Sequence, residues 1–272
     1  MMTRLLFSLF LTAALAYADI DTDQDMDGVP DMQDKCQDTP FLTEVDSSGC
    51  PTKELIFPQE RNDGNLDIVV GYGYSYDNDD FMRSEQHTVR LQASYVLDDW
   101  ICTLRTGYIT DSANVGMTDT VFKVKKRFKP VTNFKFSIGA GVRLPTYDFQ
   151  GNNTDFTLYS SAIYYPLSGV SLFGGANYTF IRDDEIDNPL QNITALYIGT
   201  GYFFNEDLYI NASYSYSDTK FRDYHKIRTL STTLFYQLSE KWFVTFYYGQ
   251  EIEDIDGNPR STFNVRLGYS VW

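Results

Sequence analysis

Between Asp23 and Asp34 the chain reads Asp23-Gln24-Asp25-Met26-Asp27-Gly28-Val29-Pro30-Asp31-Met32-Gln33-Asp34, and Cys36 follows shortly after. Hard oxygen donors stand at every second position and then at every third, and Gly28 supplies the positive φ of a sharp turn between the two spacings. The carboxylates of Asp23, Asp25, Asp27, Asp31 and Asp34, with the backbone carbonyl of Val29, make a ligand set for Ca2+, which favours many oxygens in a flexible shell. Five carboxylates this close repel one another when no cation is present, so the segment is expected to order around its metal.

No helical periodicity flanks this loop, although the order of its ligands matches the EF-hand pattern with Asp34 in place of the usual glutamate. The run instead resembles the thrombospondin type 3 repeat, whose aspartate ladder ends in a cysteine. Its continuation, Cys36-Gln37-Asp38-Thr39-Pro40 and Val45-Asp46-Ser47-Ser48-Gly49-Cys50-Pro51, is similar to the periplasmic linker of bacterial outer-membrane proteins of the outer-membrane protein A type. The resemblance covers about 30 residues and implies bound calcium in an exported protein. Cys36 and Cys50 close a short loop, and in an oxidising compartment a disulfide there adds on the order of 3 kcal/mol by constraining the unfolded chain.

Export has its own signal. Arg4 opens a short basic region, Leu5 to Leu15 is apolar, and Ala16-Tyr17-Ala18 is a small-x-small cleavage site, so residues 1–18 read as a secretory signal peptide. The apolar run is too short for a bilayer anchor, which takes about 20 residues. Cys102 is left over, and it falls in a strand pattern where it reads as a small hydrophobe of the wall. A formal net charge of -15 argues against nucleic acid as a partner, and the acids gather in the calcium segment and in loops.

The elements that must carry these features announce themselves by alternation. Tyr (21) and Phe (20) bring the aromatic share to 16% while the mean hydropathy is only -0.33, so apolar and polar residues must be interleaved. Ile68, Val70, Tyr72 and Tyr74 alternate with Val69, Gly71, Gly73 and Ser75, and Phe134, Phe136, Ile138, Ala140, Val142 and Leu144 alternate with Lys135, Ser137, Gly139, Gly141 and Arg143. Such segments recur with starts near residues 66, 86, 100, 119, 133, 155, 170, 191, 207, 226, 241 and 261. Strands of about ten residues with aromatic ends suit a membrane wall better than a soluble sandwich. The expected fold is therefore all-β: a transmembrane antiparallel β-barrel of about twelve strands, with ten or fourteen as the neighbouring even counts, preceded by the small loop-rich calcium segment. The expected divisions are a signal peptide 1–18, a calcium-binding segment 19–52, a linker 53–65 and a barrel 66–272.

The connections alternate too. Those around 77–85, 110–118, 145–154, 182–190, 217–225 and 251–260 are longer and acidic, whereas Asp98-Asp99, Lys129 to Thr132, Pro166 to Gly169, Phe204 to Asp207 and Ser239 to Lys241 are short. Bacterial outer-membrane barrels place long loops outside and short turns in the periplasm. Both termini are then periplasmic, in the cell outer membrane of a Gram-negative bacterium, with membrane lipid and lipopolysaccharide as the surrounding partners. Acidic clusters such as Asp183-Asp184-Glu185 read as solvated loop tips that could also bind divalent cations bridging lipopolysaccharide. Trp272 resembles the terminal aromatic of the barrel-assembly signal, although Phe263, Val265, Leu267, Tyr269 and Val271 are out of phase with it.

On the face opposite the apolar one stand Arg90, Arg105, Lys123, Lys125, Arg127, Lys135 and Arg143, a basic stripe that should line the lumen. The corresponding positions of later strands, among them Ser171, Phe173, Asn177, Tyr209, Asn211, Ser213, Thr229, Ser231 and Tyr247, are uncharged. The stripe resembles that of small monomeric channels for acidic sugars, which implies a passive, porin-like channel for small anionic solutes. The competing arrangement pairs these cations with carboxylates of neighbouring strands or loops and leaves a plugged, structural envelope protein. A third reading is hydrolytic: Asp77-Asn78-Asp79 and Asp223-Tyr224-His225 resemble the loop carboxylates and Asp-His pair of omptin proteases. Omptins have ten strands and no other omptin segment is present, so no enzyme activity, catalytic residue or organic cofactor is assigned.

Overall fold

The structure is a computed structural model that describes residues 29, 31, 33–36, 45–48, 50, 64–78, 83–111, 115–148, 150–184, 186–222, 226–252 and 260–271. The chain divides into two units, the first Met1–Leu55 together with Pro166–Ser168, the second the remainder from Ile56 onward. Among the described residues, the expected signal peptide, most of the linker, Asp23, Asp25, Asp27 and Trp272 do not appear.

The strands form a barrel, which belongs to the second unit except for Pro166 and Leu167 at one strand end. Its strands are β1 (Leu66–Asn78), β2 (Arg83–Leu97), β3 (Trp100–Thr110), β4 (Val115–Met117), β5 (Thr120–Val131), β6 (Phe134–Leu144), β7 (Asp155–Leu167), β8 (Val170–Phe180), β9 (Ile193–Phe203), β10 (Leu208–Ser217), β11 (Ile227–Gln237), β12 (Trp242–Glu251) and β13 (Ser261–Ser270). Each pairs antiparallel with its neighbour, β2 pairs with β3, and β1 pairs with β13 from Asp67↔Ser270 to Tyr76↔Ser261, which closes the sheet on itself. The three-residue β4 is a flap on the end of β3, so the closed ring has twelve strands. Closure leaves no backbone edge towards lipid, the condition a sheet must meet to cross a bilayer.

Alternation sorts the side chains. Ile138, Leu158 and Ile198 stand outward at mid-strand, 53%, 54% and 67% exposed. Trp100, Tyr164, Tyr202, Tyr236 and Trp242 ring the short-turn end, while Tyr108, Tyr178, Tyr214 and Tyr248 ring the long-loop end. An apolar band between two aromatic girdles is the outer surface of a membrane barrel. Eleven residues, the length of β3, rise about 3.4 Å each along a strand tilted by about 40°, so the wall stands about 28 Å tall, close to a hydrocarbon core. Cys102 lies on this outward row between Trp100 and Leu104, half-buried and unbridged.

Turns follow their residues. Asp98 takes φ 49 in the two-residue β2–β3 turn, and Gly169 takes φ 76 in the turn before β8. Gly151, φ 76, lies late in the connection between β6 and β7, where a side chain would collide with the Asp184 carbonyl.

Candidate functional site: a lumen with two faces

The basic stripe lies on the inward row. Arg90 is on β2, Arg105 on β3, Lys123, Lys125 and Arg127 on β5, and Lys135 and Arg143 on β6, each alternating with the lipid-facing positions. Arg266 of β13 joins them across the closure seam, for Gly71 of β1 pairs with Arg266 on one side and Arg90 on the other. A Cβ on Gly71 would come within 3.0 Å of Arg266 Cγ, so the missing side chain leaves room for that arginine's stem to lie along the wall. Arg90 is within electrostatic reach of Arg105 and Arg266, and Lys123 of Lys125 and Arg105.

Pairing divides the stripe. Among the described residues the ion pairs are Arg143 with Asp155, Arg143 with Asp119 at 3.7 Å, Lys220 with Asp183 at 3.2 Å and Lys226 with Asp218 at 3.9 Å. Arg143 is therefore neutralised by its neighbours at the long-loop end. No described carboxylate lies within ion-pair distance of Arg90, Arg105, Lys123, Lys125, Arg127 or Arg266. Lys123 Nζ stands over the Tyr159 ring at 5.0 Å, and Lys135 Nζ over the Tyr165 ring at 5.6 Å. Clustered cations without counter-charges are too costly for a dry interior, so this half of the lumen needs water and mobile anions.

The other half is built differently. Tyr159 on β7, Phe173 on β8, Tyr197 and Phe203 on β9, Tyr209 on β10, Phe235 on β11, and Phe243 and Tyr247 on β12 all occupy inward positions. Several lie across a glycine of the neighbouring strand. A Cβ on Gly201 would fall inside the Tyr209 ring, one on Gly268 inside the Phe243 ring, one on Gly199 against Phe173 and one on Gly175 against Tyr197. Rings folded onto glycine cover exposed backbone, the cross-strand device known as aromatic rescue. Tyr209 Oη and Ser171 Oγ are 3.0 Å apart, and Ser213 and Ser231 hydroxyls are 2.8 Å apart, so much of the polar lining on this side bonds to itself.

At the long-loop end, buried carboxylates tie the loops down. Asp155, fully buried, pairs with Arg143 and accepts from Arg182 N at 2.7 Å. Asp183, 8% exposed, accepts from Asn153 N at 3.0 Å besides its pair with Lys220. Asp119 accepts from Asn152 Nδ2 at 2.8 Å and Tyr147 N at 3.1 Å. The reading of Asp183 as a solvated loop tip is thus corrected: a lysine and a backbone amide on adjacent loops draw it inward.

In the N-terminal unit Cys36 and Cys50 are bridged, with Cα atoms 5.1 Å apart. Lys35 N donates to Ser48 O at 2.9 Å, and Asp46 Oδ1 gathers the Ser48 amide, the Ser48 hydroxyl and the Cys50 amide. Those bonds, the Ser48 hydroxyl foremost, hold the Asp46 carboxyl below the usual carboxylate range. Of the expected calcium ligands, Val29, Asp31 and Asp34 are described and Asp23, Asp25 and Asp27 are not. Asp34 is 8% exposed; Oδ1 accepts from Cys36 N at 2.7 Å, and Oδ2 is buried without a hydrogen-bond partner. A carboxylate oxygen left without a donor fits a hard cation, so the chemistry of Asp34 suits the expected ion. No cluster of three or more metal-binding side chains forms among the described residues alone. Of the hydrolytic candidates, Asp79, Asp223 and His225 lie outside the described residues, as do the side chains of Asp77 and Asn78.

A closed twelve-stranded antiparallel ring with an apolar exterior and a polar, charged interior is the fold of outer-membrane channel barrels. The chain belongs to the family described as "Putative MetA-pathway of phenol degradation", whose model matches residues 66–267, the whole barrel but its last strand's end. Among solved structures it is similar to the KdgM porin (TM-score 0.54, 15% identity, 75% of this chain and 99% of that chain). It is likewise similar to the NanC porin (TM-score 0.57, 12% identity, 74% and 98%). The KdgM porin has also been solved with disordered oligogalacturonate, and that structure matches equally well (TM-score 0.54, 15% identity, 75% and 99%). No curated protein sequence matches the chain.

Proposed function

We propose that this protein is a passive, anion-preferring channel of the outer membrane, with its short turns and both termini in the periplasm. The observation that carries the reading is the set of six inward cations, Arg90, Arg105, Lys123, Lys125, Arg127 and Arg266, with no described carboxylate in ion-pair reach. A lumen row of one sign raises the local concentration of the opposite ion and biases passage towards it. The oligogalacturonate of the KdgM porin is an acidic solute, and passage of small organic anions is consistent with it. The test is conductance of the purified protein in planar bilayers under a KCl gradient, where the reversal potential should show chloride preferred over potassium. The combined substitutions Arg105→Glu, Lys123→Glu and Lys125→Glu should invert that preference. Arg143→Glu alone should change it less, because Asp155 already cancels that charge. A silent bilayer would favour a structural role, and unchanged selectivity in the triple variant would reject the stripe.

The N-terminal unit adds a second role, a calcium-held spacer before the barrel. Its support is the buried, unpartnered Asp34 Oδ2 at the end of the aspartate ladder. Asp23, Asp25, Asp27, Asp31 and Asp34 with the Val29 carbonyl would hold Ca2+ at about 0.1–1 mM, the range of extracellular modules, and Mg2+ should compete poorly because it demands a rigid octahedral shell. Calorimetric titration of the full chain against the Asp25→Ala, Asp27→Ala variant decides it: equal heats from the two proteins would overturn the assignment.

A further inference from the structure

We propose that the solutes this channel favours are small aromatic carboxylates, whose charge meets the basic half of the lumen while the ring meets the aromatic half. The inference rests on the anion-channel reading and adds what that reading leaves open, the body attached to the charge.

Ring order places the two halves across the bore. Following the closed sheet from β1 through β2, β3, β5 and onward to β13, β2 lies half a turn from β9, β3 from β10, and β5 from β11. Arg90, Arg105 and the Lys123, Lys125, Arg127 row therefore stand on the wall opposite Tyr197, Tyr209 and Phe235. The halves meet at β6, where Gly139 and Gly141 are successive inward positions without side chains. A Cβ on Gly139 would lie 2.8 Å from Lys125 Cγ, and one on Gly141 3.0 Å from Tyr159 Cε2. Across that bare strip Lys123 Nζ reaches the Tyr159 ring at 5.0 Å.

Two observations favour an aromatic body over a sugar. The outer ends of the Phe173, Tyr197, Tyr209 and Phe243 rings rest on glycines of the neighbouring strands, so aromatic surface takes the place of polar side chains along this wall. The hydroxyls that a polyol would need are engaged within the wall: Tyr209 with Ser171, Tyr197 with Ser161, Ser213 with Ser231, and Thr157 with Thr179 at 2.9 Å. A saturated sugar acid would satisfy the cations and leave its hydroxyls competing with bonds already made. A benzoate-like anion satisfies both walls.

The experiment uses the full chain in planar bilayers, with chloride current as the readout and benzoate, cyclohexanecarboxylate and galacturonate as probes of equal charge. Benzoate should interrupt the current at a concentration about fivefold lower than either of the other two, the size expected of one ring-on-ring contact. Replacing Tyr197, Tyr209 and Phe243 together by leucine should bring the three probes level. Should that triple variant fail to give the heat-dependent gel mobility of a folded barrel, Phe173→Leu alone should halve the benzoate advantage. Equal potency of benzoate and galacturonate in a chloride-preferring wild-type channel overturns the inference and leaves the anion channel standing, and greater potency of galacturonate does so in favour of sugar acids. Absence of chloride preference overturns the channel reading and the inference with it.

Discussion

Replacing Asp155 by asparagine isolates one charge at a site where geometry predicts its worth. Asp155 is fully buried, pairs with Arg143 on the adjacent strand and accepts from the Arg182 amide. Asparagine keeps an oxygen for that amide and nearly the same volume, so the change reports the ion pair. Breaking a buried pair by removing one partner costs about 3–5 kcal/mol, since the other charge is left uncompensated. Here the Arg143 side chain is 29% exposed and retains Asp119 at 3.7 Å, so solvent and a second carboxylate soften the loss to about 2–3 kcal/mol. The assay is a double-mutant cycle of Arg143→Gln and Asp155→Asn, read by urea unfolding of the barrel in lipid vesicles. The expected coupling is about 2 kcal/mol. A second readout follows from the same chemistry: with Asp155 neutral, one negative charge at this end of the lumen is gone, Arg143 keeps only Asp119, and the chloride preference should rise. Coupling below about 0.5 kcal/mol, the level of an exposed pair, would refute the argument that this end of the lumen is electrostatically closed.

Gly201→Val should force the Tyr209 ring off the wall and into the bore, lowering conductance and costing about 1–3 kcal/mol in stability; unchanged conductance would mean the ring does not rest on that glycine. Asp46 titrates below its ordinary value of 3.8 because it accepts from Ser48 and Cys50. A depressed carboxyl stabilises its fold above the unfolded pKa and loses that contribution as pH falls through the folded one. Amide exchange at Ser48 and Cys50 should therefore accelerate only below about pH 4, and equal rates at pH 3 and pH 6 after correction for intrinsic exchange would count against the turn. The mature protein should fractionate with the outer membrane and change its gel mobility on boiling, whereas recovery as a soluble periplasmic species would contradict the barrel.

Much of this architecture is visible in one dimension because a closed membrane sheet imposes a period of two over every strand. The starts expected near 100, 155, 170 and 261 coincide with Trp100, Asp155, Val170 and Ser261. β2 begins earlier than expected, at Arg83, because polar residues at the long-loop end extend pairing beyond the apolar pattern. The flap β4 has three residues, too few to show any alternation. Period alone places Arg90 or Lys123 inward, since a lysine or arginine at mid-strand has one tolerable side. Tyr159, Tyr197 and Phe243 carry no such signal of their own, because aromatic residues suit the girdle and the lumen alike, and only the alternation of their strand-mates places them inward. Period places Arg266 inward as well, but not beside Arg90, because its neighbours across the seam, Gly71 and then Arg90, are near one end of the barrel sequence while it is near the other. The Arg143–Asp155 pair likewise depends on register between β6 and β7, which alternation leaves free by steps of two.

The seam between β1 and β13 bears on how such a chain is made. Its contacts join residues as distant as Asp67 and Ser270, 203 positions apart. Loops of that length close slowly, and no earlier strand can stand in for the last one. Until β13 arrives, β1 offers lipid a full row of unpaired amides and carbonyls, a state the hydrocarbon interior does not tolerate. Insertion and ring closure must then be nearly simultaneous, or the growing edge must be held by another sheet edge in the interval. On this view the ladder from Asp67 to Tyr76 is where a nascent barrel would be handed from its helper to itself, and slowing that exchange would stall biogenesis while leaving the finished wall unchanged.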